Sequence, residues 1–105
     1  MLRIYPVSLQ MLREVAPLAT RVAQADRNHA KQLRDASLSV TLNIAEGSGV
    51  RAGNRRLRYE TALGSARETL ANLEACAAIG YLDSVDDRLR SHLNQIIGTL
   101  VKLVR

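Results

Sequence analysis

The spacing of prolines and apolar residues constrains this chain more than any other feature of its sequence. Prolines occur only at positions 6 and 17, so about 88 consecutive residues follow without one. Through that length the apolar residues recur at intervals of three and four, which is the spacing of one helix face. Because a β-sandwich needs frequent turns, this pattern favours long α-helices instead.

Four helical segments are predicted from the apolar stripes. Pro17 falls inside the first stripe, so we expect a kink or a helix break near Ala16. Gly47 and Gly49 are expected to end the second segment, and Gly80 the third. The stripes are Leu9, Leu12, Ala16, Ala19 and Ala23, with Met11, Val15, Leu18 and Val22 beside them; Leu33, Ala36, Ser37, Val40 and Ile44; Leu63, Ala66, Leu70, Leu73 and Ala77; and Leu89, Leu93, Ile96, Leu100 and Leu103.

The starts of the later helices are predicted from residues that can cap a helix. A side-chain oxygen ahead of the first turn accepts a hydrogen bond from a backbone N–H that has no partner within the helix. On this basis we expect Asn28, Asn54 and Ser84 to cap the second, third and fourth helices. Asp86 and Asp87 then lie in the first turn of the fourth helix, where its dipole stabilises negative charge.

Four helices joined by short connections indicate an all-α fold, an antiparallel up-down-up-down four-helix bundle, with residues 1–105 forming one domain. The second and fourth helices carry more apolar surface than one interior requires. The extra residues are Leu38, Thr41, Leu42 and Ala45 on one helix and Ile97, Val101 and Val104 on the other. Either the core is generous or a second surface is buried by self-association, and we favour self-association.

Most catalytic and cofactor classes lack support in the sequence. The stretch "GSGVRAG" follows a helix rather than a strand, so it does not fit a dinucleotide fingerprint. His29, His92 and Cys76 are too far apart in sequence to form a ligand motif, and no nucleophile has an evident base. We therefore expect no enzyme activity, no cofactor and no metal, with Cys76 in the core and His92 in a structural role.

The expected location is the cytoplasm. One cysteine rules out a disulfide within the chain and suits a reducing compartment. Arg3 and Pro6 interrupt the apolar residues that a signal peptide would need, and no uncharged stretch reaches membrane-spanning length. We accordingly expect no membrane association.

Glu46 raises a separate question, because a carboxylate near a helix C-terminus is disfavoured by the helix dipole. In an antiparallel pair it would face the start of the third helix, so we predict pairing with Arg55, Arg56 or Arg58. A polar network that sets the helix register is expected to include Arg34, Asn43, Glu46 and Glu68. Gly64, inside the third helix, is expected to mark a close approach by a neighbouring helix.

The charge distribution favours a partner that carries phosphates. The net charge is +5, and arginine supplies 13 of the 15 basic residues. The candidate nucleic-acid-binding residues are Arg51, Arg55, Arg56 and Arg58 around one helix entry, with Lys31, Arg27 and Arg34 as further candidates. With three tyrosines and no phenylalanine or tryptophan, base stacking has little support, so contact with phosphates is the expected mode.

Several motifs resemble a known bacterial family. The stretch "QLRDASLSVTLNIAEGSG" at 32–49, followed by "ALGSARETL" at 62–70 and "GYL" at 80–82, resembles the four-helix bundle proteins encoded in intervening sequences of 23S ribosomal RNA genes. This resemblance implies a four-helix up-down bundle. Relatives include the accessory variability protein of diversity-generating retroelements, a basic homopentamer thought to work with a reverse transcriptase and nucleic acid.

The resemblance implies a ring-forming, non-enzymatic homo-oligomer, with a pentamer as the expected assembly. Two functions remain open at this point. One is an oligomer that binds RNA or DNA through an arginine-rich surface, and the other is a protein–protein adaptor or scaffold, for example for a reverse transcriptase. Solvated arginines with no partner are the third possibility.

Overall fold

Four α-helices account for nearly all of the chain in a computed structural model that describes residues 2–49 and 52–105. They are α1 (Ile4–Ala23), α2 (Arg27–Ser48), α3 (Ala52–Ala78) and α4 (Asp87–Val104). The described residues contain no β-strand. The predicted all-α class is therefore confirmed.

Neighbouring helices run in opposite directions around the bundle, so that α1 and α3 lie on one diagonal. Each packs against α2 and α4. The direction of α1, α2 and α3 follows from polar contacts in which residue numbers rise on one helix and fall on the next. These contacts are Thr20–Arg34 and Ser8–Thr41 between α1 and α2, and Ser39–Ser65 and Glu46–Arg58 between α2 and α3. The direction of α4 follows from two contacts with α1, Arg21–Asp83 just before α4 begins and Glu14–His92 within it. Glu74–Arg90 joins α3 to α4.

Aliphatic side chains from all four helices fill one shared core. Met11, Leu33, Ile44, Leu73 and Leu93 are all fully buried, and each is expected to contribute about 1.5–3 kcal/mol relative to an exposed position. The helices form an elongated bundle measuring 42 × 24 × 20 Å. An aliphatic core of this kind agrees with a chain that has almost no aromatic residues.

The helix starts differ from those predicted. Asp26, rather than Asn28, caps α2 by accepting a hydrogen bond from the His29 amide at 2.9 Å. Asp86, rather than Ser84, caps α4 by accepting from the Leu89 amide at 3.1 Å. Asp26 has extended backbone angles that aim its carboxylate at the first turn. The predicted third cap, Asn54, lies inside α3, which already includes Ala52.

The first helix continues through Pro17, so the predicted break is absent. Pro17 and Ala16 are both exposed, which keeps the proline ring on the solvent side of α1. The buried face consists of Ile4, Ser8, Met11, Val15, Ala19 and Val22. The core-facing stripe of α1 is therefore mainly the second of the two predicted, which contains Met11, Val15 and Val22.

Of the predictions for Gly80 and Gly64, the structure agrees with the first and not with the second. Gly80 has a φ of +84°, a left-handed conformation that favours glycine, and α3 ends at Ala78 as expected. Gly64 is exposed, and a Cβ added there would meet no atom within 4 Å. The prediction of a tight helix crossing at Gly64 is therefore wrong within one subunit.

Candidate nucleic-acid interface

The last turn of α2 and the start of α3 bring Glu46 against an arginine, as predicted. Nη1 of Arg58 lies 3.1 Å from Oε2 of Glu46, and both side chains are about half exposed. The guanidinium offsets the unfavourable interaction between Glu46 and the negative end of the helix dipole. Because the pair is exposed, its stabilising effect is small, and the arginine stays accessible to a partner.

The two other predicted arginines of α3 also have partners in this region. Arg56 donates from Nε to Glu60 at 3.1 Å, one turn further along the helix. Arg55 donates from Nε to the carbonyl oxygen of Gly47 at 3.2 Å. Arg55 and Arg58 thus contact the C-terminal turn of α2, Arg55 through its backbone, whereas Arg56 pairs within α3.

Tyr59 is a central residue of this region that the sequence analysis missed. Tyr59 is 4% exposed, and its ring covers Gly47, where an added Cβ would lie 2.8 Å from Cδ1 of the ring and closer still to Cε1. No side chain larger than hydrogen fits at position 47 without moving the ring. The sequence offered one signal for this contact. Gly47, near the end of a predicted helix, is followed twelve residues later by one of only three tyrosines.

A pocket of about 240 Å³ opens beside this contact. The described residues that line it are Leu2, Ser48, Arg55 and Tyr59, and we refer to it as the hinge pocket. The Ser48 hydroxyl donates to the Ile44 carbonyl oxygen at 3.0 Å. The Tyr59 hydroxyl lies 3.5 Å from the Ser48 oxygen, which is at the outer limit for a hydrogen bond.

The structure separates two of the six predicted nucleic-acid-binding residues from the others. Arg27 and Lys31 lie in the first turns of α2, whose 22 residues place its ends about 33 Å apart. The ammonium group of Lys31 lies 2.6 Å from the Asp35 carboxylate, whose hydrogen bond and charge raise the pKa of Lys31. Arg51 lies outside the described residues. A single site therefore includes Arg55, Arg56 and Arg58, without Arg27 or Lys31.

Charge is distributed unevenly along the bundle axis. We define the basic half as residues 2–13, 38–49, 52–65 and 96–105, which antiparallel packing gathers at one end. Its charged residues are Arg3, Arg13, Arg55, Arg56, Arg58, Lys102 and Arg105 against Glu46 and Glu60. The other half, residues 14–37 and 66–95, has seven basic and eight acidic residues. Among the described residues, the net charge is therefore +5 in the basic half and −1 in the other.

The predicted polar network is only partly present. Asn43 donates to the backbone oxygen and the hydroxyl of Ser39, and that hydroxyl lies 2.8 Å from the hydroxyl of Ser65. Glu68 is exposed and bonds to no described residue, so its predicted link to Asn43 or Arg34 is wrong. The Ser39–Ser65 contact places Glu68 level with residue 36, seven residues from Asn43, and Arg34 is directed to Thr20 of α1 instead.

Arg34 has a different partner from the one predicted. It reaches α1, where its Nη2 lies 3.4 Å from the Thr20 hydroxyl. That contact is exposed and joins the charged guanidinium of Arg34 to a neutral hydroxyl across the α1–α2 boundary. Arg34 therefore supports the packing of α2 on α1 and takes no part in the α2–α3 network.

An apolar surface groove runs along the outside of α2. It has a volume of about 320 Å³ and contains Leu38 and Leu42, which are 48% and 52% exposed. Asp35, Ser39, Asn43, Glu46 and Arg58 form the rest of its described lining. We call this surface the outer groove. The prediction of spare apolar surface is thus confirmed for Leu38 and Leu42, whereas Thr41 is buried. The extra residues predicted on α4 pack against the core; they are Ile97, Val101 and Val104.

The end opposite the basic half contains the thiol and one of the two imidazoles. Cys76 is fully buried, as predicted, and burial, followed by the nearby negative charge of Asp26, raises the pKa of its thiol. His29 packs edge-on against Tyr81. Across the α1–α4 boundary, nearer the middle of the bundle, His92 contacts Glu14, with Nδ1 and Oε1 2.7 Å apart.

Within residues 2–49 and 52–105, no group of three histidine, cysteine or acidic side chains is placed to hold a metal ion. Over the same residues, none of the helices is both long and apolar enough to cross a membrane.

Comparisons with known proteins agree with this architecture. A family model described as 23S rRNA-intervening sequence protein matches residues 1–102. A crystal structure of a protein of unknown function from the S23 ribosomal protein family of Bacteroides thetaiotaomicron is similar, with a TM-score of 0.82 and 18% identity. The alignment covers 97% of this chain and 98% of that one, and at this identity it shows the fold alone. No protein with a curated description matches the chain.

Proposed function

The chain belongs to the family of 23S rRNA-intervening sequence proteins, and from this premise we propose that it is a non-enzymatic, cytoplasmic homo-oligomer that binds RNA or DNA through its basic half. A pentamer is the assembly implied by the family resemblance. The ligand is bound chiefly by its phosphates, with little reading of base sequence.

The observation that carries this proposal is the concentration of positive charge at one end of the bundle. Seven basic side chains share the described part of the basic half with only Glu46 and Glu60. Positive charge gathered on one surface raises the local concentration of a polyanion and supplies its affinity. The exposed ion pairs of Arg56 and Arg58 are weak enough to be exchanged for contacts with phosphate.

The composition of the basic half favours phosphate over base recognition. Its tyrosines are Tyr5, which is half-buried, and Tyr59, which is buried beneath α2. Single-stranded nucleic-acid binding by stacking requires exposed aromatic faces. Arginine, by contrast, binds phosphate through a planar fork of N–H donors.

Self-association is supported by the outer groove. Leu38 and Leu42 lie one helical turn apart on the exposed face of α2, where the contact of each side chain with water is unfavourable. Burial against another subunit would remove that contact. Repetition of the basic half in an oligomer would multiply the phosphate contacts of each subunit and increase avidity.

The proposal is tested by measuring binding to RNA and to duplex DNA over a salt series, together with the mass in solution by light scattering. Phosphate-dominated binding gives a linear fall in log affinity with log salt, of slope about −0.9 per phosphate on duplex DNA. A flat response between low and physiological salt would rule out this mode, and the mass of a single subunit would rule out the oligomer.

A protein–protein adaptor, for example for a reverse transcriptase, is the second candidate. The outer groove favours it, because exposed leucines flanked by charged groups are a common feature of protein interfaces. Capture of a partner protein that survives nuclease treatment would favour the adaptor, whereas loss of capture after nuclease would favour the nucleic-acid-binding oligomer.

A further inference from the structure

The hinge pocket contains a hydrogen-bond donor that the fold leaves almost without an acceptor. Tyr59 is 4% exposed, yet among the described residues the hydrogen-bond contact of its hydroxyl is with the Ser48 oxygen alone, at 3.5 Å. Ser48 directs its own proton to the Ile44 carbonyl at 3.0 Å, so the Tyr59 proton is the one that points to Ser48. A hydroxyl whose acceptor is so distant can make a better hydrogen bond to an acceptor that enters the pocket.

The other described walls of the hinge pocket suit a small anion. Arg55 brings a guanidinium whose Nε–H is bonded to the Gly47 carbonyl, and this bond holds its plane against the end of α2. Ser48, whose proton goes to the Ile44 carbonyl, supplies an oxygen that can accept from Tyr59. The remaining wall is Leu2, which shields one side of the pocket with an apolar side chain.

From these contacts we propose that the hinge pocket is a binding site for one phosphate group, with the Tyr59 hydroxyl donating to a phosphate oxygen and Arg55 supplying the positive charge. The proposal rests on the proposed function, because the phosphate is one belonging to the nucleic acid held by the basic half. It assigns to Tyr59 a binding role beyond its packing on Gly47.

The position of the pocket supports this assignment. Arg56 and Arg58 lie within three residues of Arg55 on the same first turns of α3, so the pocket belongs to the same basic end of the bundle as two further guanidinium groups that are 63% and 47% exposed. The pocket fixes one phosphate in place, and the surrounding arginines hold its neighbours by charge.

The test compares Tyr59→Phe with Tyr81→Phe. Both variants lose one hydroxyl and keep the ring, but Tyr81 lies at the opposite end, where its hydroxyl is 3.4 Å from Asp26. Inorganic phosphate is titrated into each protein, and backbone amide shifts are followed by NMR. We expect shifts at Ser48, Arg55 and Tyr59, and an affinity at least about fivefold weaker in Tyr59→Phe alone. Equal affinities in the two variants, or shifts elsewhere only, would overturn the proposal.

Arg55→Gln provides a second variant that does not depend on the packing of the Tyr59 ring. It is compared with Arg13→Gln, which removes a charge from α1 in the same half, where Arg13 contacts only Gln10 among the described residues. Phosphate affinity is expected to fall in Arg55→Gln and to remain within about twofold in Arg13→Gln. The reverse order would contradict a phosphate site in the hinge pocket.

Oligonucleotides with and without a 5′-phosphate identify the source of the phosphate. A Tyr59→Phe defect confined to the phosphorylated strand assigns a terminal phosphate, and an equal defect on both strands assigns a backbone phosphate. If neutralising the arginines abolishes oligonucleotide binding while Tyr59→Phe changes nothing, the pocket proposal fails and the proposed function stands. If wild-type binding to oligonucleotides is absent, the proposed function fails, and the titration with inorganic phosphate still decides the pocket.

Discussion

The ring of Tyr59 occupies the space that a side chain at position 47 would need. Gly47 is therefore fixed by tertiary packing, although it lies inside α2, where glycine is normally unfavourable. The neighbouring Glu46 contacts Arg58, the residue before Tyr59. Two consecutive residues of α2 thus dock on two consecutive residues of α3, and this explains why a carboxylate and a glycine stand together at the end of an apolar helix.

Replacing Gly47 with alanine is expected to destabilise the fold by about 1–3 kcal/mol, because the added methyl must displace a buried ring. The free energy of unfolding in urea is the measurement. Gly98→Ala is the matched control, since position 98 is open and in the interior of α4. There the same change is expected to stabilise by about 0.5–1 kcal/mol. Equal effects at the two glycines would contradict the docking of Tyr59 on α2.

The Glu46–Arg58 pair is expected to contribute much less than Gly47. Both groups are about half exposed, and ion pairs of this kind stabilise by about 0–1 kcal/mol. A double-mutant cycle with Glu46→Gln and Arg58→Gln, read out by urea unfolding, measures the coupling. A coupling energy above about 2 kcal/mol would show that the pair, rather than the glycine, holds this end of α2.

Neutralising three arginines of the basic half is expected to weaken binding to duplex DNA and to make it less dependent on salt. The variant is Arg55→Gln with Arg56→Gln and Arg58→Gln. If each arginine neutralises one phosphate, the slope of log affinity against log salt decreases by about 2.7. Arg27→Gln with Arg67→Gln and Arg88→Gln removes the same charge from the other half. Loss of affinity to the same extent in both variants would contradict an interface confined to the basic half.

Polar substitution in the outer groove is expected to reduce the mass in solution without unfolding the subunit. Leu38→Ser with Leu42→Ser removes apolar surface that is already about half exposed, so the helical content should be retained. Light scattering measures the mass, and circular dichroism checks the fold. Ile79→Ser is the control, because Ile79 is 58% exposed and lies just after α3, at the end of the bundle opposite the basic half. Self-association that persists in the double variant would place the interface elsewhere.

The buried thiol predicts a loss of stability at high pH. Burial raises the pKa of Cys76 in the folded state, whereas the unfolded thiol titrates near 8.5. Above that pH the unfolded state has lost a proton that the folded state keeps, so the free energy of unfolding falls as pH rises. Urea unfolding at pH 7 and pH 10 measures the fall. Cys76→Ala, which has no thiol, should lack this component, and an identical pH dependence would contradict it.

The helices and their directions could be predicted from the sequence, but not the details of their ends. The stripes on α2 and α4 repeat at helical spacing, and this information is local. Asp26 and Asn28 are both good capping residues two positions apart, and only the extended backbone at Asp26 distinguishes them. On α1, two adjacent stripes were equally apolar, and the choice between them depends on the position of the other helices.

Tertiary register explains why the candidate site was predicted only in part. Gly47, in the last turn of α2, and Gly64, in the interior of α3, are both helical glycines, but only Gly47 lies beneath a ring. Glu46 was placed correctly because it lies near the loop, where an antiparallel neighbour is close in sequence. Glu68 was misplaced because it lies further from the loop, where a shift of a few residues changes its partner.

The division of charge between the two ends of the bundle links assembly to ligand binding. In an oligomer whose copies lie parallel, the basic halves are neighbours, and their mutual repulsion acts over a screening distance of about 10 Å at 0.1 M salt. A polyanion bound across them would relieve that repulsion, so it would favour the assembled state. By thermodynamic reciprocity, the assembled state would then bind the polyanion more tightly than the separated subunits do.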